Sequence, residues 1–478
     1  MPKYDNNLIV IGAGSAGLVS ALIATTVKAK VTLIEKHQMG GDCLNTGCVP
    51  SKALIRTAKL IKNIQQADKY GLTQANYAVD FTKVMARVHE VIAKIAPNDS
   101  AQRYESLGVN VIKGKAKIVS PHAVMVNGKT LSTKNIIIAS GAEPSVPPVP
   151  GLADVDYLTS DNLWQLAELP RKLVILGGGP IGCEMAQAFA RLGSEVYQFE
   201  MAERIMARED VEVSELINEQ FKAEGINLLL RTKTRQIGIA DGRKYIEYEQ
   251  EDKVKRLEFD TILVAVGRKA KVTGFGLEDI GVNLRANQTI EVDDFLRTNI
   301  PNIFIAGDAA GPLQFTHTAS HQAWFATVNA LFGGFKKFKI DYRVIPKVTF
   351  TDPEVASVGI NELEAKDKNI PYETSIFNMD ELDRAITDSS AQGWVKVLTV
   401  PGKDKILGVT IVAEHAGEIL PEFVLAMKHG LGLNKILATV HAYPTLSEAN
   451  KYVAGVWKKQ HAPQKVLQFL EKFHQWMR

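Results

Sequence analysis

Two cysteines separated by four residues are the first feature of this sequence that could carry chemistry. Cys43 and Cys48 lie in the segment Gly40-Gly-Asp-Cys-Leu-Asn-Thr-Gly-Cys-Val-Pro-Ser-Lys52. Pro50 suits the first turn of a helix, where its missing N–H is harmless. Cys48 should therefore lie at or just before a helix N-terminus, where the helix dipole stabilises a thiolate. The pair predicts a redox-active disulfide; the alternative is two small buried hydrophobic side chains. A zinc site is disfavoured, because it needs more ligands and a different spacing.

A repeated glycine pattern describes the elements that must position this pair. An apolar run beginning at Leu8 leads into G-x-G-x-x-G with glycines at 12, 14 and 17, and a second run beginning at Leu173 leads into glycines at 177, 179 and 182. An acid, Glu35 or Glu200, ends the next predicted strand of each unit. The glycines allow a tight turn, close approach to a pyrophosphate and helix–strand packing, and the acid accepts hydrogen bonds from a ribose. The sequence predicts two dinucleotide-binding βαβ units.

Composition sets the broad class of protein. The chain has 478 residues and a net charge of +3, which is too small to indicate nucleic-acid binding. Three cysteines exclude a disulfide-stapled secreted scaffold and favour a reducing compartment. The uncharged stretch 8–27 is long enough to cross a bilayer, but its glycine spacing favours a buried strand, turn and helix. We expect a cytoplasmic protein.

The segment around the cysteines resembles the active-site signature of the flavin-dependent disulfide reductases. That family includes dihydrolipoamide dehydrogenase, glutathione reductase and mercuric reductase, and the resemblance extends over essentially the whole chain. It implies an α/β fold with two Rossmann-type dinucleotide-binding domains and a C-terminal α+β dimerisation domain. The expected segments are 1–149 (first part of the FAD-binding domain), 150–270 (NAD-binding domain), 271–343 (FAD-binding return segment) and 344–478 (interface domain).

The resemblance assigns roles to individual residues. It implies that Cys48 is the flavin-side thiol, that Cys43 exchanges with substrate, and that Lys52 pairs with Glu184 near the flavin. The FAD contacts it implies are Gly12, Gly14, Gly17, Glu35, Lys36, Gly41, Asp42, Lys52, Ala116, Ser140, Gly141, Gly307, Asp308, Gln314, Phe315, Thr316 and His317. The NAD contacts it implies are Gly177, Gly179, Ile181, Gly182, Glu200 and Gly267. No metal site is expected, and Cys183 is expected to serve packing.

The C-terminal motif departs from the family pattern. Dihydrolipoamide dehydrogenases carry a histidine immediately before the proline, and that histidine pairs with a glutamate as the acid and base for the dithiol. This chain has Tyr443 before Pro444, keeps Glu448, and has His441 two residues earlier. Because tyrosine titrates near ~10, it is a poor base at neutral pH. His441 could replace the missing base, since residues two apart in an extended chain share a face.

The expected function is an FAD- and NAD-dependent disulfide oxidoreductase, most similar to dihydrolipoamide dehydrogenase and acting on a small dithiol or disulfide as a homodimer. The alternative is an NADH-dependent reductase of a mercuric or cupric type of metal ion, or of another small oxidant, although the extra C-terminal thiols of mercuric reductases are missing here. A third possibility is a non-catalytic, redox-sensing flavoprotein. The basic, amphipathic segment 465–478 is expected to dock onto the protein's own dimer, with weak contact to a membrane surface as the alternative.

Overall fold

A computed structural model describes residues 3–73 and 76–478. Its helices are α1 (Ser15–Thr26), α2 (Gly41–Asn45), α3 (Cys48–Gln65), α4 (Phe81–Ile95), α5 (Ala101–Ser106), α6 (Pro180–Leu192), α7 (Val211–Ala223), α8 (Thr316–Phe332), α9 (Glu362–Asp367), α10 (Asp383–Thr387), α11 (Ala416–Ile419), α12 (Pro421–Lys428), α13 (Leu433–Ala438), α14 (Glu448–Gln460) and α15 (Gln464–Met477).

Its strands are β1 (Asn6–Ile11), β2 (Val31–Glu35), β3 (Asn110–Lys113), β4 (Lys117–Ser120), β5 (Ala123–Val126), β6 (Lys129–Ile138), β7 (Ala142–Pro144), β8 (Tyr157–Leu158), β9 (Lys172–Leu176), β10 (Glu195–Phe199), β11 (Asn227–Leu229), β12 (Lys233–Ala240), β13 (Arg243–Gln250), β14 (Lys253–Phe259), β15 (Thr261–Val264), β16 (Arg268–Ala270), β17 (Ile303–Ile305), β18 (Lys347–Thr349), β19 (Glu354–Gly359), β20 (Glu373–Asn378), β21 (Trp394–Thr399) and β22 (Ile406–Ala413).

The chain forms two compact units. The first contains the residues up to Met201 together with Arg231–Asp341, and the second contains Ala202–Leu230 together with Tyr342–Arg478. Residues 202–230, which lie inside the predicted NAD-binding segment, thus group with the C-terminal residues. The domain boundaries expected from the sequence remain predictions.

The first unit contains a parallel sheet in the order β3-β2-β1-β6, with β17 pairing on β6. The apolar runs of β1, β2 and β17 and the apolar end of β6 are buried, as expected for parallel strands covered on both faces. The register places the last residue of β1, Ile11, beside Ile34 and Ile138, and Ile138 beside Ile305. The carboxyl ends of four strands therefore meet at one edge, and ligands of open α/β sheets bind at such edges.

A second parallel sheet in this unit has the order β10-β9-β15-β8. Leu176, at the end of β9, pairs with Phe199 on one side and Val264 on the other. The loops that follow these three strands leave the sheet at the same edge. Both glycine motifs consequently lie at the carboxyl edge of a parallel sheet, which confirms the two predicted Rossmann-type units.

The second unit is an antiparallel sheet, β18-β19-β22-β21-β20, covered by helices. Its core is formed by strand residues such as Val395 and Ile411 packed against Phe423 and Trp457 of the helices. This is the predicted α+β module. The last helix, α15, has no buried residue, and Trp476 is 79% exposed. Among the described residues, no helix has the length and apolar character needed to cross a membrane.

Candidate active site

The first glycine loop closes tightly around backbone atoms of the sheet. Gly12 has φ +100°, and a Cβ atom there would lie 2.3 Å from the carbonyl oxygen of Ala139. A Cβ atom on Gly17 would lie 1.7 Å from the carbonyl oxygen of Gly12. Only glycine fits both positions. Helix α1 begins just after this loop without a side-chain cap, so its first N–H groups remain available to an anion.

The acid predicted for this unit lies against the same loop. The Glu35 carboxylate accepts a hydrogen bond from the backbone N–H of Ala13 at 2.6 Å and another from His37 at 2.7 Å. Gly41 also packs here, because a Cβ atom on it would lie 2.5 Å from the Cα of Gly14. The start of the cysteine segment is therefore built directly onto the first glycine loop.

The second glycine loop has the same construction. Gly177 has φ +111°, and its Cβ atom would lie 2.5 Å from the carbonyl oxygen of Ala265, while a Cβ atom on Gly182 would lie 2.1 Å from Gly177. The Glu200 carboxylate accepts a hydrogen bond from the N–H of Gly178 at 2.6 Å. Other predicted contacts lie near this loop or at the same edge of the sheet: Gly179 is the N-cap of α6, Ile181 is exposed in its first turn, and Gly267 has φ +127°.

Cys48 is the first residue of α3, as predicted, and Cys43 lies in the short helix α2. Both are free thiols in this structure. The Cys48 Sγ lies 3.4 Å from the Oγ1 of Thr316, the first residue of α8. The hydrogen bond from Cys43, then that from Thr316 and the charge of Lys52, lower the pKa of Cys48 to about 6. The same contact with Cys48, together with burial, raises the pKa of Cys43. At neutral pH, Cys48 is a thiolate and Cys43 a thiol.

The predicted Lys52–Glu184 pair is brought together by the packing of α3 against α6. The Lys52 Nζ lies 2.9 Å from the Glu184 Oε2, and the Glu184 side chain is only 7% exposed. Lys52 lies one helical turn after Cys48, so the two side chains share a face of α3. The carboxylate thus holds the ammonium group on the side of the helix that carries the thiolate.

The return segment adds a half-buried acid at the edge of the first sheet. Asp308 follows β17, and burial raises its pKa to about 6, while the positive charge of Arg268 opposes that shift. Gly307, just before it, has φ +87° and donates its N–H to the Oε1 of Gln322 at 2.7 Å. Ser140 Oγ donates to the carbonyl oxygen of Lys271 at 2.6 Å. These contacts connect the end of β17 to α8, and the end of β6 to the residue that follows β16.

The remaining residues predicted to contact FAD lie on different elements and differ in their solvent exposure. Ala116 is buried in the apolar core below the first sheet, and Lys36 is exposed just after β2. Phe315 and His317 stack with ring centroids 5.3 Å apart at the start of α8. Half-buried Gln314 precedes them, and Gly141 adopts φ +69°. Their roles as flavin contacts remain predictions.

The donor set fits the two nucleotide cofactors. Each glycine loop has a cradle that a side chain would fill, an uncapped helix start for a pyrophosphate and a carboxylate on the loop for a ribose. The first loop adjoins the cysteine segment, as an FAD site requires.

The C-terminal residues are arranged differently from the expected His–Glu pair. The His441 side chain is 6% exposed, and its Nε2 lies 3.0 Å from the Oε2 of Glu422, while its Nδ1 lies 3.1 Å from the carbonyl oxygen of Thr439. Glu448 is buried and accepts a hydrogen bond from the N–H of Thr445 at 3.2 Å. His441 is therefore paired with Glu422 and not with Glu448.

Tyr443 occupies an exposed position within the second unit. It is 69% exposed, and its hydroxyl donates a hydrogen bond to the Oδ2 of Asp383 at 2.8 Å. That hydrogen bond and the charge of Asp383 raise the pKa of Tyr443 above its usual value. Tyr443 is consequently a neutral hydrogen-bond donor across the physiological pH range.

Sequence reasoning missed several residues that shape these sites. Glu422 and Asp383 are distant in sequence from the residues they bind, so no local pattern predicts these two contacts. Arg268 directly follows Gly267, which is a predicted NAD contact. This position in the sequence is the one sign that Arg268 lies near a cofactor site. Cys183 is buried, donates to the carbonyl oxygen of Gly178, and has its pKa raised to about 12 by burial, in keeping with the expected packing role.

Comparison with known proteins assigns the family. The sequence model described as "Pyridine nucleotide-disulphide oxidoreductase" matches residues 6–323, and the model of the dimerisation domain of the same family matches residues 345–454. The second match supports a homodimer. It lends no support to the membrane contact considered for the C-terminal helix.

Curated relatives include enzymes of two specificities. A mercuric reductase from Bacillus cereus is 34% identical over 96% of this chain and 72% of its own length. A dihydrolipoyl dehydrogenase from Chlamydia pneumoniae is 36% identical over 92% of this chain and 94% of its own length. The substrate therefore does not follow from relatedness alone.

Solved structures agree with the fold. A Cu(II) complex of the HOCl-induced flavoprotein disulfide reductase RclA from Escherichia coli superposes with a TM-score of 0.83 and 26% identity, covering 95% of this chain and 99% of that one. LpdA from Mycobacterium tuberculosis superposes with a TM-score of 0.85 and 26% identity, covering 94% of this chain and 99% of that one. This chain belongs to the pyridine nucleotide-disulfide oxidoreductase family, whose members use FAD and NAD(P).

Proposed function

We propose that this protein is an NADH-dependent reductase that passes electrons through the Cys43–Cys48 pair to a thiophilic metal ion, with Cu(II) as the representative acceptor. The observation that carries the proposal is the environment of the two residues that could serve as a dithiol base. The Tyr443 hydroxyl is bound to Asp383, and the His441 ring is held between Glu422 and Thr439.

A dithiol substrate needs a group that can remove its proton near neutral pH. The surroundings of Tyr443 and His441 make both residues poor bases. The pKa of Tyr443 is raised, so well under about 1% of it is ionised at pH 7. Both ring nitrogens of His441 face oxygen atoms, a carboxylate and a carbonyl, that only accept hydrogen bonds. In the neutral ring one nitrogen keeps its lone pair, but that lone pair faces a protein oxygen and the side chain is only 6% exposed, so a dithiol does not reach it. An acceptor that requires no deprotonation suits this site better.

The chain's own residues support reduction of such an acceptor. FAD, when bound, would take a hydride from NADH and pass the electron pair to the disulfide. The reduced pair then consists of a Cys43 thiol and a Cys48 thiolate, the latter stabilised by Thr316 and Lys52. Transfer of one electron to each of two Cu(II) ions re-forms the Cys43–Cys48 bond and releases the single thiol proton to solvent. Thiolates are suitable ligands for Cu(I), the soft product of this transfer.

Glu200 supports NADH as the electron donor. Its carboxylate is held on the second glycine loop by the N–H of Gly178, where it would accept ribose hydroxyls and repel a 2′-phosphate. Arg204, which could favour a phosphate, donates its hydrogen bonds to the carbonyl oxygens of Glu209 and Ala207 and to the Ser214 hydroxyl.

Oxidation of dihydrolipoamide is the second candidate function. It is supported by the dihydrolipoyl dehydrogenase from Chlamydia pneumoniae, which is 36% identical to this chain over most of both sequences. The retained elements are Cys43, Cys48, Lys52 and Glu184, which serve either acceptor.

Parallel steady-state assays on FAD-loaded protein separate the two candidates. We expect NADH to support reduction of Cu(II), detected with a Cu(I)-specific chelator, and expect dihydrolipoamide to reduce NAD slowly. Tyr443→His should increase the dihydrolipoamide rate by about tenfold or more, because it introduces a base of suitable pKa. Tyr372→His, at a half-buried tyrosine of the same unit whose hydroxyl donates to Glu362, is the control and should leave that rate unchanged.

Two results would overturn the proposal. One is dihydrolipoamide turnover by the unmodified protein of about 10 per second or more, which is typical of an enzyme acting on its own substrate. The other is Cu(II) reduction that persists at the same rate in Cys43→Ser, since the metal would then bypass the cysteine pair.

A further inference from the structure

The short helix that carries Cys43 is tied down at both ends by side chains from far along the sequence. At its start, the Arg268 guanidinium forms an ion pair with the Asp42 carboxylate. At its end, the Trp164 Nε1 donates a hydrogen bond of 2.8 Å to the carbonyl oxygen of Thr46. Cys43 lies between these two attachment points.

Both side chains meet at a third residue. Arg268 donates through Nη1 to the Oγ of Ser160 at 3.1 Å, and Trp164 donates to the Ser160 carbonyl oxygen at 2.8 Å. Arg268 is anchored further by the carbonyl oxygen of Ala142 at 3.0 Å. Trp164 is only 5% exposed, so the ring itself is fixed by packing. The two ends of α2 are thereby linked through Ser160.

The segment that carries Cys43 is too short to be stable by itself, although the Asn45 side chain donates hydrogen bonds to the carbonyl oxygens of Met39 and Gly41. Helix α2 has five residues, and a single helical turn is marginal in isolation. It is preceded by Gly40 at φ +88° and begins with Gly41 at φ +60°, residues with wide backbone freedom. External contacts therefore add to the packing of Gly41 in holding the orientation of Cys43 relative to Cys48.

We propose that Arg268 and Trp164 are positioning residues that clamp the Cys43 segment and hold its sulfur beside Cys48. The clamp governs both how readily Cys43 reacts with an external partner and how readily the disulfide re-forms. The inference rests on the proposed function only in taking Cys43–Cys48 as the redox pair, and it holds for either acceptor.

The first test measures the reactivity of Cys43 by itself. In a Cys48→Ser background the other cysteine, Cys183, is buried with its pKa raised to about 12, so the disulfide reagent DTNB reports on Cys43. The Cys43 sulfur attacks the reagent, forming a mixed disulfide and releasing one coloured thiolate. We expect Trp164→Phe and Arg268→Gln to increase this rate by about tenfold, because the released segment exposes the sulfur.

The second test uses the native cysteine pair. In the same variants we expect turnover with Cu(II) or dihydrolipoamide, whichever the protein uses, to fall by about tenfold, because a misplaced sulfur re-forms the disulfide slowly. In Trp164→Phe, reduction of the flavin by NADH in a rapid-mixing experiment should change by less than about twofold, since that step precedes disulfide re-formation. Lys269→Gln, at an exposed neighbour paired with Glu143, is the control and should match the unmodified protein.

Two outcomes would contradict the proposal that Arg268 and Trp164 hold the Cys43 segment in place. One is a DTNB rate within about twofold of the parent for Trp164→Phe in protein with full FAD content and unchanged Tm. The other is an equal loss of flavin reduction and turnover, which would indicate general damage to the fold. Ser160→Ala, which removes only the Arg268 contact to its hydroxyl, gives a milder variant should Arg268→Gln fail to fold. Because DTNB needs no physiological acceptor, failure of the proposed function leaves this test unaffected.

Discussion

The acidity of Cys48 leads to a quantitative prediction for Thr316→Val. With a pKa of about 6, Cys48 is about 90% thiolate at pH 7 and about 10% at pH 5. The thiolate is therefore present above pH 6 and is lost as the pH falls through that value. The substitution removes the hydroxyl that lies 3.4 Å from the sulfur and leaves a side chain of nearly the same size.

The expected shift follows from the strength of that contact. A hydrogen bond to a charged group contributes about 1.5 kcal/mol at the lower end of the measured range, which suits a long contact to sulfur. Since one pKa unit corresponds to about 1.4 kcal/mol, the pKa of Cys48 should rise by about one unit, to roughly 7. At pH 7 the thiolate fraction then falls from about 0.9 to about 0.5.

The assay is a pH titration of the reduced protein. Ultraviolet thiolate absorbance and the long-wavelength flavin–thiolate absorbance should show the same midpoint, near pH 6 before the substitution and about one unit higher after it. Ser320→Ala, which removes a hydroxyl one turn further along α8 that donates to the Thr316 carbonyl oxygen, should leave the midpoint unchanged. An unmodified midpoint near the ordinary cysteine value, or an identical midpoint in Thr316→Val, would refute the assigned cause.

Three further predictions concern other parts of the molecule. Gly12→Ala should abolish FAD loading, measured by flavin absorbance per chain, because its methyl group would lie 2.3 Å from the carbonyl oxygen of Ala139; normal loading would contradict the glycine argument. Lys396→Ala should lower the free energy of unfolding in urea by about 3–5 kcal/mol, since it leaves the buried Asp210 carboxylate 2.6 Å away without its counter-charge. A loss under about 1 kcal/mol would show that the carboxylate is compensated elsewhere. Glu200→Ser should improve kcat/KM for NADPH relative to NADH by about tenfold, because it removes the repulsion of a 2′-phosphate; an unchanged ratio would mean that Glu200 does not select the nucleotide.

Lys403→Ala is the control for the stability experiment. Lys403 is exposed in the turn between β21 and β22, so its removal should change the free energy of unfolding by less than about 0.5 kcal/mol. Lys396 differs because its side chain is 1% exposed and lies between three carboxylates, those of Asp210, Glu212 and Glu362.

The parts of the fold that the sequence predicts are those specified by neighbouring residues. The glycine loops follow from apolar runs, glycine spacing and an acid at the end of the next strand, because turn and helix start are local consequences of these residues. The helix beginning at Cys48 likewise follows from Pro50 two residues later. Local patterns of this kind are therefore sufficient to predict the two Rossmann-type units and the position of the redox pair.

Tertiary structure decided the contacts that join distant segments. Asp42 and Arg268 are 226 residues apart, Trp164 and Thr46 are 118 apart, and Asp383 and Tyr443 are 60 apart. No periodicity or spacing links such partners, because their proximity depends on how whole sheets and helices pack. The sequence by itself determined a flavin–disulfide framework with a tyrosine in place of a histidine. Only the fold determined that this tyrosine is bound by an acid, that His441 is held by Glu422, and that the Cys43 segment is clamped at both ends.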